Sequence, residues 1–223
     1  MKNFVITIAR GFGSGGRQIA AMLADELHIH SYNNRILTLA SQYSGYPEHY
    51  FKEADETLHG SLIAKQLLEL PKMFHTKGHL SRFVSDDQLF EAQKTIIRKL
   101  ADTESCVIGG KCADYILKDY DNVVSVYVEA PRAYCLQRVM DRMGDITLEE
   151  ADELITHTDK YRADYYKYYT GGNYWTNPVN YDITLNNARL GDEKCVQMIL
   201  QCMRIKFGDA WYKEYMDSIR KDA

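Results

Sequence analysis

A glycine-rich turn between a predicted strand and a predicted helix is the feature that most constrains this fold. The apolar run at residues 4–8 predicts a buried strand, and apolar side chains then repeat at helical spacing over residues 19–27. Four of residues 11–16 are glycines, which let the backbone approach a ligand and adopt dihedral angles closed to other residues. The first N–H groups of the helix and the positive end of its dipole face this turn. The sequence therefore predicts a phosphate-binding loop.

The loop matches the P-loop motif G-x-x-x-x-G-K-[ST] with two departures. Gly11 and Gly16 have the required spacing, but Arg17 replaces the lysine and Gln18 replaces the serine or threonine. Because a guanidinium grips phosphate through two parallel hydrogen bonds, Arg17 suits the role of the lysine. The missing hydroxyl is the usual Mg²⁺ ligand. Ser14 could substitute for it, although nothing in the spacing assigns Ser14 this role.

The same loop also matches G-x-G-x-x-G, the fingerprint of dinucleotide-binding folds, through Gly11, Gly13 and Gly16. That fold requires an acidic residue about 20 positions further on, at the end of a second strand. Residues 30–35 contain no acid, although Arg35 could meet the 2′-phosphate of NADP. A glycine turn with no ligand is the third alternative. We favour a phosphate-binding loop over a turn without a ligand because it directly joins a strand to a helix near the N-terminus, and we favour the P-loop variant over the dinucleotide site because the acidic residue is missing.

Composition excludes several classes of protein. The 223 residues are 45% hydrophobic and 26% charged, which suits one sizeable core. A net charge of −4 argues against a general binder of nucleic acid or membrane surfaces. No apolar run is long enough to span a membrane, and the predicted core strand at the N-terminus leaves no signal peptide. The five cysteines form no C-x-x-C pair, so we expect reduced thiols, no metal site and a cytoplasmic protein.

Five short apolar segments that alternate with helical patterns predict a three-layer α/β fold, in which a five-stranded parallel sheet is flanked by helices. The predicted strands cover residues 4–8, 29–33, 105–110, 123–128 and 181–186. Residues 45–95 read as a polar, helical insertion, which is either a lid or substrate-side element or a solvated helical excursion. We expect it to be the most mobile part of the chain apart from the termini. The core of this single predicted domain therefore comprises residues 1–44 and 96–223, with a second lid-like segment at about 156–180. The last predicted helix packs either on this core or on a second copy of the chain.

Several charged side chains fall at positions suited to a phosphate site. Lys111 follows the carboxyl end of the third strand, where ligands bind in parallel α/β sheets. Arg138 and Arg142 are four residues apart on a helix and form either a solvated basic face or a clamp over the site. Asp159 and Arg162 share a helix face, where they form either a simple ion pair or part of the site.

These motifs together resemble the cytidylate kinase-like family of P-loop kinases, and the resemblance covers nearly the whole chain. The segments that carry it are residues 8–17 (IARGFGSGGR), 32–35 (YNNR), 106–114 (CVIGGKCAD), 159–166 (DKYRADYY), 169–171 (YTG) and 180–182 (NYD). Gly-Gly-Arg at the end of the loop is usual for this branch, whereas the cytidylate kinases themselves have Gly-Lys and a hydroxyl residue. This chain departs from the branch at Lys111, where arginine is usual, and at Asn33, where an acid is common.

The resemblance implies a kinase-like arrangement of fold and site. ATP or another nucleoside triphosphate is the implied cofactor, and Mg²⁺ is expected although its usual ligand is missing. The implied nucleotide-binding residues are Gly11, Gly13, Ser14, Gly15, Gly16, Arg17 and Gln18. The implied catalytic residues are Arg17, Asp159, Lys160 and Arg162, and the implied substrate-binding residues are Asn33, Arg35, Lys111 and Arg138.

Three functions follow from these readings. The first is a nucleoside monophosphate kinase that transfers the ATP γ-phosphate to CMP or a related small acceptor. The second is a nucleotide-binding regulator with weak or lost catalysis, which Arg17 and Gln18 suggest. The third is an NAD(P)-dependent oxidoreductase, supported by the glycine fingerprint alone. The expected partners are a nucleotide and a small phosphate acceptor, with neither nucleic acid nor membrane, and a homodimer is left open.

Overall fold

The computed structural model of the chain describes residues 3–33, 36, 39 and 86–221. The chain divides into two compact units, Met1–Asn33 together with Arg98–Ala223, and Asn34–Ile97. The elements of the described residues are, in chain order, β1 (Val5–Arg10), α1 (Gly16–Glu26), β2 (His30–Tyr32), α2 (Asp86–Thr103), β3 (Cys106–Gly109), α3 (Ala113–Ile116), β4 (Val123–Glu129), α4 (Arg132–Met143), α5 (Leu148–Tyr169), a 3₁₀ turn (Pro178–Asn180), β5 (Ile183–Asn186), α6 (Asn187–Leu190), α7 (Asp192–Phe207) and α8 (Asp209–Lys221).

The five strands form one parallel sheet in the order β2-β3-β1-β4-β5, which confirms the predicted fold class. Strand β1 is central: Ile6 pairs with Val107 of β3 on one side and with Val124 of β4 on the other. The first five residues of β1 are buried, as expected for a strand covered on both faces. This order differs from that of the dinucleotide-binding fold, in which the second strand lies beside the first.

The main core lies between the sheet and helices α1, α7 and α8. Phe4, Ile6 and Ile8 alternate along the first strand segment and are fully buried in this core. Phe4 contacts Trp211 and Tyr215 of α8 edge to face, with ring centroids 5.4 and 5.1 Å apart. Helix α8 therefore packs on the core of its own chain, which is the first of the two alternatives that the sequence left open.

A second, smaller core joins helices α4 and α5 to the glycine-rich loop. Val139 and Ile155 are buried in it, and Phe12 of the loop packs against the same cluster. Helix α5 begins at a capping box, in which the Thr147 hydroxyl accepts from the Glu150 N–H and the Glu150 carboxylate accepts from the Thr147 N–H. This start fixes which residues of α5 lie beside the loop.

Most of the predicted insertion falls outside the described residues. Only residues 86–95 are described, and they form the first part of α2. The prediction that residues 45–95 are the most mobile part therefore stays a prediction. Within the described part of the chain, no helix is long and apolar enough to cross a membrane.

Candidate phosphate-binding site

The loop after β1 has a backbone conformation that strongly favours glycine at two positions. Gly13 and Gly15 have φ angles of 81° and 93°, in the left-handed region. A Cβ atom at Gly13 would lie 2.7 Å from the carbonyl oxygen of Cys135, and one at Gly15 would lie 2.2 Å from Nδ2 of Asn187. The loop is therefore held against its surroundings at a distance that leaves no room for a side chain.

Some backbone N–H groups of the loop donate hydrogen bonds within the protein, and others are available to a ligand. The N–H groups of Gly11, Phe12 and Ser14 donate to acceptors within the protein. The Ser14 hydroxyl is fully buried and has no partner among the described residues. Backbone N–H groups without an acceptor in the described part of the chain are those of Gly13, Gly15, Gly16 and Arg17. Because no side chain caps α1, its N-terminus and this loop together offer a row of donors for an anion.

Side chains that follow β5 contact the loop at Ser14. Asn187, which is fully buried, donates from Nδ2 to the carbonyl oxygen of Ser14 at 2.8 Å and to Asp192 at 2.6 Å. Asp192 in turn forms an ion pair with Arg138 at 3.2 Å, and Arg138 also donates to the Tyr134 hydroxyl at 3.0 Å. Arg138, implied by the resemblance to bind substrate, thus lies close to the loop in a hydrogen-bonded network.

Two side chains of α5 contact the backbone at the start of the loop, at Arg10 and Phe12. Arg162 donates to the carbonyl oxygen of Arg10 at 2.8 Å and to Asp159 at 3.1 Å. Asp159 accepts from the N–H of Phe12 at 2.8 Å. The structure therefore brings both residues to the loop, where they contact its backbone.

Four arginines converge on this region, and we call Arg17, Arg138, Arg142 and Arg162 the arginine cluster. The guanidinium groups of Arg142 and Arg162 lie 5.4 and 5.5 Å from the centre of the Phe12 ring. The pKa of Arg142 is lowered by burial and, in addition, by the positive charges of the other three arginines. Arg17 is exposed, and neither it nor Arg142 forms an ion pair within the described residues. The cluster therefore has more positive charge than its neighbouring carboxylates neutralise.

The turn after β3 adds a lysine side chain to the site. Gly110, Lys111 and Cys112 have successive φ angles of 70°, 62° and 54°. Non-glycine residues in this region are strained, and such strain concentrates at functional sites. The pKa of the Lys111 ammonium is lowered well below its usual value by burial, and then by the positive charges of Arg10 and Arg162. Lys111 therefore belongs to the same region of positive potential as the arginine cluster.

The remaining implied residues have more varied positions. The Asn33 carboxamide lies against Gly109, where a Cβ atom would be 2.0 Å from the Asn33 oxygen. Gln18 is exposed on α1. Lys160 is 70% exposed and pairs with Asp164 at 2.5 Å on the solvent side of α5, so the structure does not bring it to the loop. Arg35 lies outside the described residues.

Some residues of the site were not predicted from the sequence. Arg142 gave a signal, its spacing of four residues from Arg138, but was not assigned to the site. Phe12 lies within the motif, yet its contacts with two guanidinium groups depend on tertiary packing. Asn187 and Asp192 had no local signal, since they reach the loop from more than 170 positions further along the chain.

The phosphate-binding site lacks the usual protein ligands of a divalent cation. In P-loop enzymes Mg²⁺ is held by the hydroxyl residue at the position of Gln18 and by an acid at the end of a strand beside β1. Strand β3 ends at Gly109, and β4 ends at Glu129, whose carboxylate already accepts from the Ala130 N–H and the Tyr127 hydroxyl. Among the described residues, no group of three or more His, Cys, Asp or Glu side chains could hold a metal ion. The residues therefore fit the phosphates of a nucleotide but do not fit a protein-bound magnesium ion.

The comparisons with known proteins agree with this geometry. The model of the cytidylate kinase-like family matches residues 5–189. An uncharacterised protein from Eubacterium ventriosum ATCC 27560 is 25% identical with a TM-score of 0.65, over 90% of this chain and 98% of that one. A gluconokinase from Sinorhizobium meliloti 1021 is 13% identical with a TM-score of 0.54, over 95% and 97% of the two chains. A shikimate kinase from Bacteroides thetaiotaomicron is 10% identical with a TM-score of 0.50, over 90% and 98%. The last two share the fold with this chain, and no curated protein sequence matches it.

Proposed function

Because this chain belongs to the cytidylate kinase-like family, we propose that it is a nucleotide kinase that transfers the γ-phosphoryl group of ATP to CMP or a related small acceptor. The observations that carry the proposal are the available N–H groups of Gly13, Gly15, Gly16 and Arg17 and the arginine cluster close to the same loop. Backbone donors at a helix N-terminus and guanidinium groups are the two kinds of group that bind nucleotide phosphates most often.

In phosphoryl transfer, some of these residues would bind the donor phosphates and others would position the loop. Catalysis of this reaction consists mainly of alignment and of neutralising the charge on the transferring group. The loop N–H groups would hold the donor phosphates, and Arg17 and Arg142 would neutralise their charge. Arg162 and Asp159 would act through the loop backbone, because their polar atoms already contact it.

Acceptor binding is assigned to the side of the site beyond β3. Lys111 lies after that strand, at the carboxyl edge of the sheet where ligands bind in parallel α/β folds. The Asn33 oxygen is buried and has no partner among the described residues, so it is available to a donor group on a ligand. Arg35 is the third acceptor residue that the family resemblance implies. We propose that Lys111 and Asn33 bind the nucleoside monophosphate, while the role of Arg35 stays what the resemblance implies.

A second function is favoured by one specific observation. The hydroxyl position is occupied by Gln18, and β3 ends without an acid at Gly109. A protein that bound the nucleotide without catalysing transfer would tolerate these changes. The alternative is therefore a nucleotide-binding regulator with weak or no turnover.

Two measurements test these proposals together. The first is a thermal-shift screen of nucleoside mono-, di- and triphosphates, because a ligand that binds only the native state raises its apparent stability. The second is a coupled assay of ADP release with ATP and CMP, UMP or dCMP. A kinase gives both a shift with ATP and acceptor-dependent ADP release. A regulator gives the shift alone, and the absence of any shift with phosphorylated nucleosides contradicts both proposals.

A further inference from the structure

Two positions that supply Mg²⁺ ligands in other P-loop proteins carry no such ligand here. Gln18 offers an amide in place of the hydroxyl. At Gly109, a Cβ atom would lie 2.0 Å from the Asn33 oxygen and 3.4 Å from an Arg10 guanidinium nitrogen. An acidic side chain therefore cannot be accommodated at the end of β3 unless its neighbours move.

The carboxylates that do lie near the loop are engaged by protein donors. Asp159 accepts from the Phe12 N–H and from Arg162. Glu129, at the end of β4, accepts from the Ala130 N–H at 2.9 Å and from the Tyr127 hydroxyl. A metal ion at either carboxylate would compete with these protein donors for its oxygens, at the cost of weakening the anchor of the loop or of the end of β4.

Asp192 is the third carboxylate close to the loop. It accepts from Asn187 at 2.6 Å and forms an ion pair with Arg138 at 3.2 Å. The charge of Asp192 is therefore already paired with the Arg138 guanidinium. Asp192 also holds Asn187, which in turn donates to the Ser14 carbonyl oxygen. Each of the three carboxylates is therefore already engaged by protein donors in this arrangement.

Positive charge from side chains lies close to the glycine-rich loop. Arg142 is exposed, but its guanidinium lies over the Phe12 ring and is close enough to Arg17, Arg138 and Arg162 to be affected by their charges. Such a group of cations repels itself unless an anion lies among them. A nucleotide phosphate that has given part of its charge to Mg²⁺ would relieve this repulsion less than the metal-free form.

We propose that the phosphate site selects the metal-free form of its nucleotide, and that Arg17 and Arg142 supply the charge that Mg²⁺ supplies in other P-loop proteins. This inference rests on the proposed binding of a nucleotide at the loop. It also explains why Gln18 and Gly109 are compatible with a loop that otherwise keeps its phosphate-binding geometry.

The test is a calorimetric titration of the full chain with ATP, in excess EDTA and in excess Mg²⁺ at matched ionic strength. We expect binding in EDTA that is several-fold tighter than binding in Mg²⁺. Equal or tighter binding in Mg²⁺ overturns the inference while leaving the proposed function in place. Absence of binding in both conditions contradicts the proposed function itself, so the two failures are distinguishable.

Variants of helix α4 identify the residues responsible. Arg142→Ala should weaken binding of metal-free ATP by roughly 10-fold or more, the size expected for one charge-assisted contact to phosphate, and should reduce the preference for EDTA. Arg142→Gln keeps most of the side chain over Phe12 and should show the same loss, which separates charge from packing. Arg132→Ala is the matched control, because Arg132 lies on the same helix in an ion pair with Asp152. Equal effects of Arg142→Gln and Arg132→Ala would overturn the role given to Arg142.

Discussion

Asp159 accepts a hydrogen bond of 2.8 Å from the backbone N–H of Phe12, which ties the middle of α5 to the first turn of the glycine-rich loop. The two residues are 147 positions apart in the chain. Arg162 strengthens the same connection, since it bonds both Asp159 and the Arg10 carbonyl. The conformation of the loop therefore depends on a helix that is distant from it in sequence.

Replacing Asp159 tests this connection. Asp159→Ala removes the acceptor of the Phe12 N–H and should lower the free energy of unfolding by roughly 1–3 kcal/mol. Asp159→Asn retains an oxygen that can accept the bond and should lose clearly less. Urea unfolding measures both changes. Hydrogen exchange of the Phe12 amide should accelerate in Asp159→Ala and much less in Asp159→Asn.

Asp164→Ala is the control for these variants. Asp164 lies on the same helix, 65% exposed, and pairs with Lys160 at the surface. Exposed pairs contribute little to stability, so this variant should unfold like the wild type. If Asp159→Ala also unfolded like the wild type, the hydrogen bond to Phe12 would have no structural importance.

Gly15 should be intolerant of any side chain for two separable reasons. Gly15→Ala introduces a residue at a φ of 93° and places its Cβ atom 2.2 Å from Nδ2 of Asn187. Gly171 has a φ of 69° but nothing within 4 Å of its Cβ position, so Gly171→Ala shows the backbone effect alone. That effect is about 1–2 kcal/mol for an L-residue. We expect Gly15→Ala to be more destabilised than Gly171→Ala in urea unfolding. Equal losses would mean that the loop can move away from Asn187.

Local patterns were sufficient to predict the elements that carry the site. The strand, glycine turn and first helix follow from hydrophobic spacing and glycine positions within one segment. The start of α5 follows from Thr147 with Glu149 and Glu150 close behind, and the structure has the capping box there. Proline at residue 131 precedes α4 as expected for a helix start. Information of this kind is local, and so the sequence could supply it.

The contacts between these elements could not be predicted in the same way. The bond from Asn187 to the Ser14 carbonyl spans 173 positions, and no local pattern marks either residue as a partner of the other. The same holds for the left-handed turn at Lys111 and Cys112, where non-glycine residues are held against their backbone preference. The resemblance implied a role for Lys160, which the rotation of α5 leaves 70% exposed.

Asp114 should make stability depend on pH in a window that the structure defines. Its side chain is buried and accepts a hydrogen bond of 2.7 Å from the Tyr166 hydroxyl. Burial raises the pKa of Asp114 from 3.8 to about 6. Between these values the native state holds the proton more tightly than the unfolded state. The contribution of Asp114 to stability is therefore fully present below pH 3.8 and is lost as the pH rises through about 6.

Comparison with Asp114→Asn isolates this contribution, because the amide can accept from Tyr166 without ever becoming charged. The variant should gain stability relative to the wild type as the pH rises from 4 to about 7, by on the order of 2–3 kcal/mol. Chemical unfolding across this range gives the difference. Asp119→Asn, at an exposed position on the following turn, controls for the loss of one negative charge. A difference between wild type and Asp114→Asn that stays constant with pH would contradict the assignment.

Arg17 gives the sharpest test of how the site functions. It is exposed on the first turn of α1, and in the described part of the chain no acceptor contacts its guanidinium, so its removal should leave the stability of the free protein unchanged. If the protein is a kinase, Arg17→Ala should lower kcat by roughly 10²-fold, because a charged clamp on a developing charge contributes on the order of 3 kcal/mol. Arg17→Lys restores the common P-loop pattern but loses the two-pronged grip on phosphate, so it should retain only part of the rate.

The measurement is an ATP titration and a coupled assay with CMP, UMP and dCMP on the wild type and both variants. Arg132→Ala, with the same change in net charge at a helix outside the loop, is the control and should behave like the wild type. In a binding-only protein, Arg17→Ala weakens ATP binding and there is no turnover to lose. If Arg17→Ala changes neither ATP affinity nor turnover, Arg17 does not contact the donor phosphates, and the phosphate site consists of the loop N–H groups and the arginines of α4 and α5 alone.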